Sequence, residues 1–278
     1  MSMNTQTPTA TMADQQFTSG LHRRLLVRTM VNLRTSFTWA WLDMKCQYRR
    51  SRIGPLWETI NVAIMVCGLA VVTSGLFGGN LGDLVAYIGL GIIIWSAIST
   101  LVLEGCSTFV RNSNQILTSN ISIDLYVGRT VSKAFITFAH HFVLYLVGLA
   151  LGLAPLTWVS LLALPGILLL FLNGIFVVTI FAFICARYRD LELIIRNLLQ
   201  LAFLVTPVFW NYQQIGAHRR FIVDYNIVFY FIQVVRMPLL GEVPSVQTYL
   251  VVVATILFTF FIAAFTYNGM RRRLAFFL

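Results

Sequence analysis

The chain has 278 residues, of which 58% are hydrophobic and 11% are charged, and it carries a net charge of +10. Soluble domains usually have about 25% charged residues, so this composition excludes an ordinary soluble domain and predicts an integral membrane protein. The basic residues lie at the ends of apolar runs instead of covering a polar surface, which argues against a nucleic-acid partner.

The N-terminal part of the chain is polar or amphipathic. Residues 1–20 are rich in Thr, Gln, Ser and Met, which predicts a disordered cytoplasmic tail and not a signal peptide. Within residues 21–57, basic and apolar side chains alternate at helical spacing, and Trp39 and Trp41 lie close together. This pattern predicts an amphipathic helix in the membrane interface followed by a basic connector, although a solvated helix on a soluble partner would share it.

A basic cluster marks the point where the chain meets its first membrane-length segment. Arg49, Arg50 and Arg52 directly precede a Gly–Pro turn and Trp57. Such a cluster fixes the side of the bilayer on which the N-terminus lies, and it places positive charge beside lipid phosphate. We expect Glu58 to pair with these arginines.

Residues 58–278 contain six apolar runs of membrane length. The predicted spans are Glu58–Phe77, Leu84–Leu103, Ala134–Leu153, Trp158–Ala186, Leu193–Trp210 and Tyr249–Tyr267. The fourth exceeds a ~30 Å hydrocarbon core, and its Pro165–Gly166 pair predicts an interfacial start or a kink. Between the last two spans, Phe221–Val235 is apolar but too short to cross. The predicted fold is an all-α integral membrane protein with six transmembrane helices, an N-terminal interface helix and a re-entrant outer segment.

The distribution of positive charge predicts the orientation. With six spans, seventeen of the twenty Lys and Arg residues lie on one side, and only Arg219, Arg220 and Arg236 lie on the other. Positive residues are retained on the cytoplasmic side, so both termini are predicted to be cytoplasmic. Five spans would put Arg271–Arg273 outside and are disfavoured.

The sequence contains no recognisable catalytic or nucleotide-binding motif. It lacks GxxxxGK[ST], HExxH and GxSxG, and its four cysteines form no metal-spaced pair. His140 and His141 point about 100° apart on a helix, which favours hydrogen bonds within the bundle over a metal site or a proton relay. We expect no metal and no cofactor on this chain. If the chain pumps a substrate, the energy must therefore come from another source.

Some residues in the last spans have two open interpretations. Arg196, about one turn into the fifth span, could snorkel to the inner surface or line a path for an anionic substrate. Aromatic side chains cluster on the predicted outer side, and they could be interfacial anchors or a surface on which sugars stack. They are Phe209, Trp210, Tyr212, Phe229 and Tyr230.

Five short motifs, taken in order, resemble those of a known family. The motifs are Arg49–Trp57, Glu104–Cys106, Arg187–Leu191, Thr206–Trp210 and Arg236–Gly241. Their order and spacing are similar to those of the membrane-spanning permeases of ATP-driven polysaccharide exporters, which are the type-2 ABC exporters of O-antigen, capsule and teichoic acid. The resemblance runs from about residue 25 to the end, and Asn226–Ile227 departs from the Asn–Pro that relatives often have.

The resemblance implies a partnership and a substrate. Two copies of this chain would bind two cytoplasmic ATPase subunits, which hold the ATP and Mg²⁺. The assembly would move a lipid-diphosphate-linked glycan across the bacterial inner membrane. An exporter of a drug or small lipid is one alternative, and a membrane enzyme acting on lipid-linked sugars is another, although the ten acidic residues are scattered.

The resemblance also implies roles for particular residues. Arg49, Arg50 and Arg52 would lie where the lipid headgroup arrives. The first and fifth spans would line the channel, and its lining and outer gate would include Trp57, Arg196, Phe209, Trp210, Tyr212, Phe229 and Tyr230. The ATPase would contact the segment after Glu104 and the loop that contains Arg187, Arg189 and Asp190.

Overall fold

The computed structural model describes residues 32–119, 121–212 and 221–278, and within these ranges every regular element is a helix. The predicted tail and the first part of the predicted interface helix lie outside the described residues. The helices are α1 (residues 32–47), α2 (Leu56–Phe77), α3 (Leu81–Arg111), α4 (Ser113–Thr118), α5 (Ile123–Ala150), α6 (Ala163–Arg187), α7 (Leu191–Val205), α8 (Phe221–Asp224), α9 (Ile227–Leu239), α10 (Val246–Met270) and α11 (Leu274–Phe277).

Five helical segments in the described ranges are long and apolar enough to cross a membrane. They contain α2, α3, α5, α6 with the 3-10 turn that precedes it, and α10. This result confirms an all-helical protein with several membrane-length helices. The fifth predicted span, Leu193–Trp210, is not among them: it overlaps the 15-residue helix α7, which begins at Leu191 and ends at Val205.

Pro207 explains why α7 is short. Proline lacks the backbone N–H that a continuing helix needs, and it forces the preceding residue out of the helical region. Thr206 accordingly has extended backbone angles, with ψ of 135°. The chain then continues without regular helix to Trp210.

Helix α3 is the centre of the bundle and packs against α2, α5, α6, α7 and α9. It runs parallel to α6, because Phe109 contacts Phe183 while Leu101 contacts Gly174. A Cβ at Gly174 would lie 2.9 Å from the Leu101 side chain, so the small residue lets these two helices approach closely. The end of the bundle at which α3 begins is the Leu81 end, and the end at which α3 finishes is the Arg111 end.

The segment from α7 to Trp210 runs along α3 in the opposite direction. The Phe203 ring lies 5.5 Å from that of Trp95, in the middle of α3. Seven residues later, the backbone oxygen of Trp210 accepts a hydrogen bond from Tyr87, close to the start of α3. Residues 191–212 therefore extend from the Arg111 end of the bundle to its Leu81 end.

Helix α9 runs from near the middle of α3 toward the Leu81 end of the bundle. Its first residues, Ile227 and Val228, share a cavity with Leu101, deep within α3. At its other end, the Leu239 carbonyl accepts a hydrogen bond of 3.3 Å from Tyr145. Asn226 caps the helix by accepting hydrogen bonds from the backbone N–H groups of the first turn.

Candidate functional site

One arginine of α5 links helix α1 to the bundle, in addition to apolar contacts such as Met44 with Ile136. Arg129 Nε and Nη2 donate to the two carboxylate oxygens of Asp43, and Nη1 donates to Asn112 Oδ1 at 3.2 Å. The guanidinium also lies 5.6 Å from the Trp39 ring centroid. A single planar side chain thus joins α1, the α3–α4 junction and α5, a geometry that suits the fixed fork of arginine.

We expect Arg129→Met to release α1 from α5. A hydrogen bond to a charged group contributes about 1.5–3 kcal/mol, and this change removes two such bonds to Asp43. Met44 lies on the face of α1 that is buried against Ile136 of α5. A cysteine introduced there (Met44→Cys) should react faster with a water-soluble thiol reagent when α1 is released. The exposed Cys46 and Cys67 are first changed to serine.

The matched control is Arg111→Met, since Arg111 is an exposed arginine that pairs with Glu104 and not with α1. The exchange Asp43→Arg with Arg129→Asp restores the opposite charges, so it should slow the labelling again. Equal labelling in the native and Arg129→Met proteins would contradict the clamp.

The basic connector between α1 and α2 leaves Arg49, Arg50 and Arg52 exposed. None of the three takes part in an ion pair within the described ranges. The predicted pairing of Glu58 with these arginines is wrong, because the Glu58 carboxylate instead accepts a hydrogen bond from Tyr48. The three charges are therefore available to a ligand or a lipid.

The hydrogen bond between Tyr48 and Glu58 fixes the connector to α2. Burial, and then the neighbouring Glu58 carboxylate, raise the pKa of the Tyr48 hydroxyl above its ordinary value, so the hydroxyl remains a proton donor. Gly54 turns the chain with φ of 64°, a conformation that side chains disfavour. Trp57 follows in the first turn of α2 and is half exposed.

The residues predicted to contact an ATPase gather at the Arg111 end. Arg187, Arg189 and Asp190 are exposed at the junction of α6 and α7. Arg187 lies over the rings of Tyr188 and Phe277, and Arg189 donates to the Leu278 oxygen. Because α3 and α6 are parallel, the short helix α4, which follows Arg111, lies at the same end of the bundle.

None of the residues of α7 is buried within this chain. Arg196 is half exposed and pairs with Glu192 at 3.2 Å, one turn nearer the Arg111 end. The apolar residues Ile194, Leu198, Leu201 and Val205 are exposed as well. They follow one another at spacings of four, three and four residues and therefore form a stripe along one face.

The predicted outer aromatic residues lie beyond the end of α7 and on α9. Phe209 packs on Phe203 at 5.4 Å, while Tyr212 contacts Phe229, which contacts Tyr230. Phe229 and Tyr230 are buried, whereas Phe209, Trp210 and Tyr212 are partly exposed.

Phe209 and Trp210 also line a cavity of about 460 Å³ at the Leu81 end, together with Asp83, Tyr87 and Glu242. The Trp210 indole is fixed in place, because its Nε1 donates to the Leu204 carbonyl at 3.1 Å. The cavity therefore combines aromatic rings with hydrogen-bonding groups beside the non-helical end of α7.

Arg236 begins one of the five motifs, but the sequence patterns did not indicate that it is buried. It lies on α9, is fully buried, and its guanidinium carbon is 3.9 Å from the Tyr87 ring centroid. Its Nη1 donates to the carbonyls of Pro207 at 3.0 Å and Val208 at 3.4 Å. Since a buried arginine inside a membrane protein is costly, its position needs a specific cause.

The histidine pair forms no joint site. His140 Nδ1 hydrogen-bonds the Ile136 carbonyl at 2.7 Å, while His141 Nδ1 hydrogen-bonds Ser96 Oγ at 3.0 Å. The two side chains therefore have separate partners inside the bundle, as expected from their angular separation. Within the described ranges, no group of three metal-ligating side chains is close enough to hold an ion.

Comparison with known proteins relates the chain to a family and to a named permease. Residues 36–240 match the family model described as ABC-2 type transporter. The chain is also similar to the O-antigen export system permease protein RfbA of Myxococcus xanthus, with 28% identity over 178 residues. That alignment covers 60% of this chain and 65% of the relative, which is just under two thirds of its length.

Proposed function

Because the chain belongs to the ABC-2 type transporter family, we propose that it is the permease subunit of an exporter for a lipid-diphosphate-linked polysaccharide. Family membership implies a multi-pass membrane protein and a partner ATPase subunit, and it indicates a transport subunit and not a catalytic enzyme. The proposal adds the substrate class, the bacterial inner membrane, and the binding of ATP and Mg²⁺ by the partner.

The observation that carries the substrate class is the similarity to a protein named as an O-antigen export permease. The cavity beside Phe209 and Trp210 supports it, because the apolar faces of sugars stack on aromatic rings while carboxylates such as Asp83 and Glu242 can accept hydroxyl hydrogen bonds. Such a surface accepts successive sugar units with little discrimination, which suits the passage of a polymer.

We propose six crossings of the membrane, with residues 191–212 forming the fifth. The course of this segment along the length of α3 supports the proposal, although only residues up to Val205 are helical. The segment 221–239 would be re-entrant from the outer side. Its support is the position of Ile227 near the middle of α3 and of Leu239 near the Leu81 end. Non-helical backbone at this depth is tolerated where protein surrounds it.

With six crossings, the Arg111 end is cytoplasmic and the Leu81 end is outer. The surplus of positive residues at the Arg111 end supports this orientation. Both termini are then cytoplasmic. The division into a tail (1–20), an interface helix with connector (21–57) and a transmembrane domain (58–278) remains a prediction.

The functional assembly we propose is a homodimer with two ATPase subunits. The unburied apolar stripe of α7 and the half-exposed Trp57 on α2 support a second copy as the neighbour, because a channel lined by the first and fifth crossings closes only when two copies meet. Arg187, Arg189, Asp190 and α4 would contact the ATPase. Arg49, Arg50 and Arg52 would receive the lipid diphosphate, and Arg196 would lie at the inner part of the path.

The test is deletion of the gene and its complementation in the native strain. We expect deletion to remove the surface polysaccharide and to cause lipid-linked glycan to accumulate inside the cell, because synthesis continues while export stops. Immunoblots of surface polysaccharide and mass spectrometry of extracted lipid-linked glycan measure the two pools. An unchanged surface polysaccharide would refute the substrate assignment.

The same strains separate the alternatives. A drug or small-lipid exporter predicts that deletion lowers drug resistance or alters the small lipids of the outer leaflet while the surface polysaccharide is unchanged. A membrane enzyme predicts a change in the chemical structure of the lipid-linked glycan and not in its location. Complementation by the native gene must reverse whichever change is seen.

A further inference from the structure

The hydrogen bonds of the Arg236 guanidinium go to another segment, and only its Nη1 has a hydrogen-bond partner among the described residues, whereas Nε and Nη2 are buried without one. Two backbone carbonyls, of Pro207 and Val208, accept its Nη1 hydrogen bonds, and the Tyr87 ring lies against the guanidinium. No carboxylate forms an ion pair with Arg236 in the described ranges. Arginine remains protonated in proteins, so the buried charge depends on these carbonyls and this ring.

Those carbonyls belong to the break after α7. A helix leaves its last carbonyl groups without intrahelical partners, and Pro207 prevents the chain from continuing the helix. Arg236 supplies hydrogen bonds to this segment at Pro207 and Val208. Asn226, at the other end of α9, donates to Thr206 Oγ1 at 2.9 Å. Helix α9 therefore holds the break at two points.

The break is also seated against α3. A Cβ at Gly91 would collide with the Val208 carbonyl oxygen, so glycine is required for the observed approach. Tyr87 lies four residues before Gly91 on α3, and its hydroxyl donates to the Trp210 carbonyl at 3.3 Å. In contrast, the helix α7 that precedes the break buries no residue. The position of the segment 206–210 thus depends on its contacts with α3 and α9, which include the burial of Val208, more than on packing of α7.

We propose that Arg236 is a positioning residue of the outer gate, and that its guanidinium clasps the segment 206–210 against Tyr87 and Gly91 in the closed passage. This inference rests on the proposed function and on the family resemblance, which implies that the outer gate includes Phe209 and Trp210. Opening requires the carbonyls of Pro207 and Val208 to leave the guanidinium. Loss of the clasp therefore favours the open gate by roughly tenfold to a hundredfold, the factor for a hydrogen bond to a charged group.

The first experiment measures the position of the segment and does not depend on what is transported. Val208 is fully buried, so a Val208→Cys reporter should be protected from a small water-soluble thiol reagent. The reporter protein carries serine at Cys46 and Cys67 and keeps the buried Cys106 and Cys185. Adding Arg236→Met should speed labelling at position 208 by about tenfold or more, while Cys106 and Cys185 remain protected.

The buried cysteines distinguish a freed gate from a loosened protein. If Arg236→Met labels Cys106 and Cys185 as quickly as position 208, the residue merely supports the fold and the proposal is overturned. Unchanged protection of position 208 overturns it as well. If Arg236→Met is not recovered, Gly91→Ala and Tyr87→Leu test the same clasp, because the first displaces Val208 and the second removes the ring. Both should expose position 208.

The second experiment tests the passage. The complete permease–ATPase complex is placed in vesicles with an entrapped radiolabelled trisaccharide, and efflux is measured without ATP. We expect Arg236→Met to raise efflux by about tenfold or more over the native complex, and Arg272→Met, a change at an exposed arginine of the other end, to leave it unchanged.

Measured export of the glycan by the native protein in cells reports on the proposed function separately. If the native protein exports the glycan and the variants show no increased trisaccharide efflux, the role proposed for Arg236 is overturned while the proposed function stands. A leak and exposed position 208 without native glycan export support the clasp and overturn the polysaccharide assignment.

Discussion

Gly166→Ala is expected to destabilise the bundle, although alanine is the better helix former. A Cβ at this position of α6 would lie 2.6 Å from the backbone oxygen of Val234 on α9. Because the obstacle is backbone, relief requires a shift of the whole helix that carries Arg236. Overpacking costs about 1–3 kcal/mol or more, and the helix propensity of alanine returns only about 1 kcal/mol. A lower unfolding temperature of the purified protein in detergent measures the net effect.

Gly148→Ala is the matched control, since a Cβ there would meet no atom within 4 Å apart from the nearby backbone of its own helix. We expect its unfolding temperature to equal or slightly exceed that of the native protein, because the gain in helix propensity is not opposed by a collision. The same glycine-to-alanine change should therefore lower the unfolding temperature at Gly166 and leave it equal or slightly raised at Gly148. Equal unfolding temperatures for the two variants would contradict the close approach of α6 and α9.

The helical class and most helix positions could be predicted because apolar runs of membrane length leave few other structures open to the chain. Helix ends were less predictable. Hydropathy identifies the residues that lie in the membrane, but a helix can continue beyond them. Accordingly, α3 continues past the predicted end at Leu103 to Arg111, and α5 begins at Ile123, before the predicted start at Ala134. In these extensions polar side chains have local partners, such as Glu104 with Arg111.

The fifth predicted span shows where hydropathy is insufficient. Leu193–Trp210 reads as one apolar run, yet α7 ends at Val205. Pro207 lies inside that run, and it prevents the helix from continuing. The sequence did not show that α9 would contact the segment after α7, because Asn226 and Arg236 are 20 and 28 to 29 residues from the groups they contact. Non-local contacts of this kind have no signature in local periodicity.

Arg236 shows the same limit for the site. The count of positive charges grouped Arg236 with Arg219 and Arg220 as residues of the outer side, and it treated all three as exposed to solvent. In the structure, Arg236 is fully buried. A useful signal was its position beside an apolar segment too short to span, since an ionisable residue within a membrane domain is a default candidate for function. Exposure of Arg49, Arg50 and Arg52, by contrast, agrees with their treatment as a surface cluster.

Removal of those three connector arginines should block export while the protein still inserts. Each exposed basic residue near an anionic membrane surface contributes about 1 kcal/mol of attraction, so Arg49→Ala, Arg50→Ala and Arg52→Ala together weaken headgroup binding by about a hundredfold. We expect surface polysaccharide to be lost and long lipid-linked glycan to accumulate inside the cell. Immunoblotting of fractionated membranes measures insertion, and extraction of the lipid-linked glycan measures its accumulation.

Two further variants separate recognition from topology. Replacing all three residues with lysine keeps the positive charge that sets orientation but removes the planar fork that binds phosphate oxygens in pairs. This variant should insert like the native protein and export several-fold less glycan. Replacing Arg271, Arg272 and Arg273 with alanine removes the same charge elsewhere at the Arg111 end and should leave export largely intact.

The pattern across these variants decides the role of the connector. Normal export by the inserted alanine variant refutes headgroup binding. Failure of the alanine variant to insert, together with full export by the lysine variant, shows that the cluster acts only on topology. A reduced export in the lysine variant is the decisive result for recognition, because orientation depends on charge alone whereas paired binding of a diphosphate depends on the guanidinium.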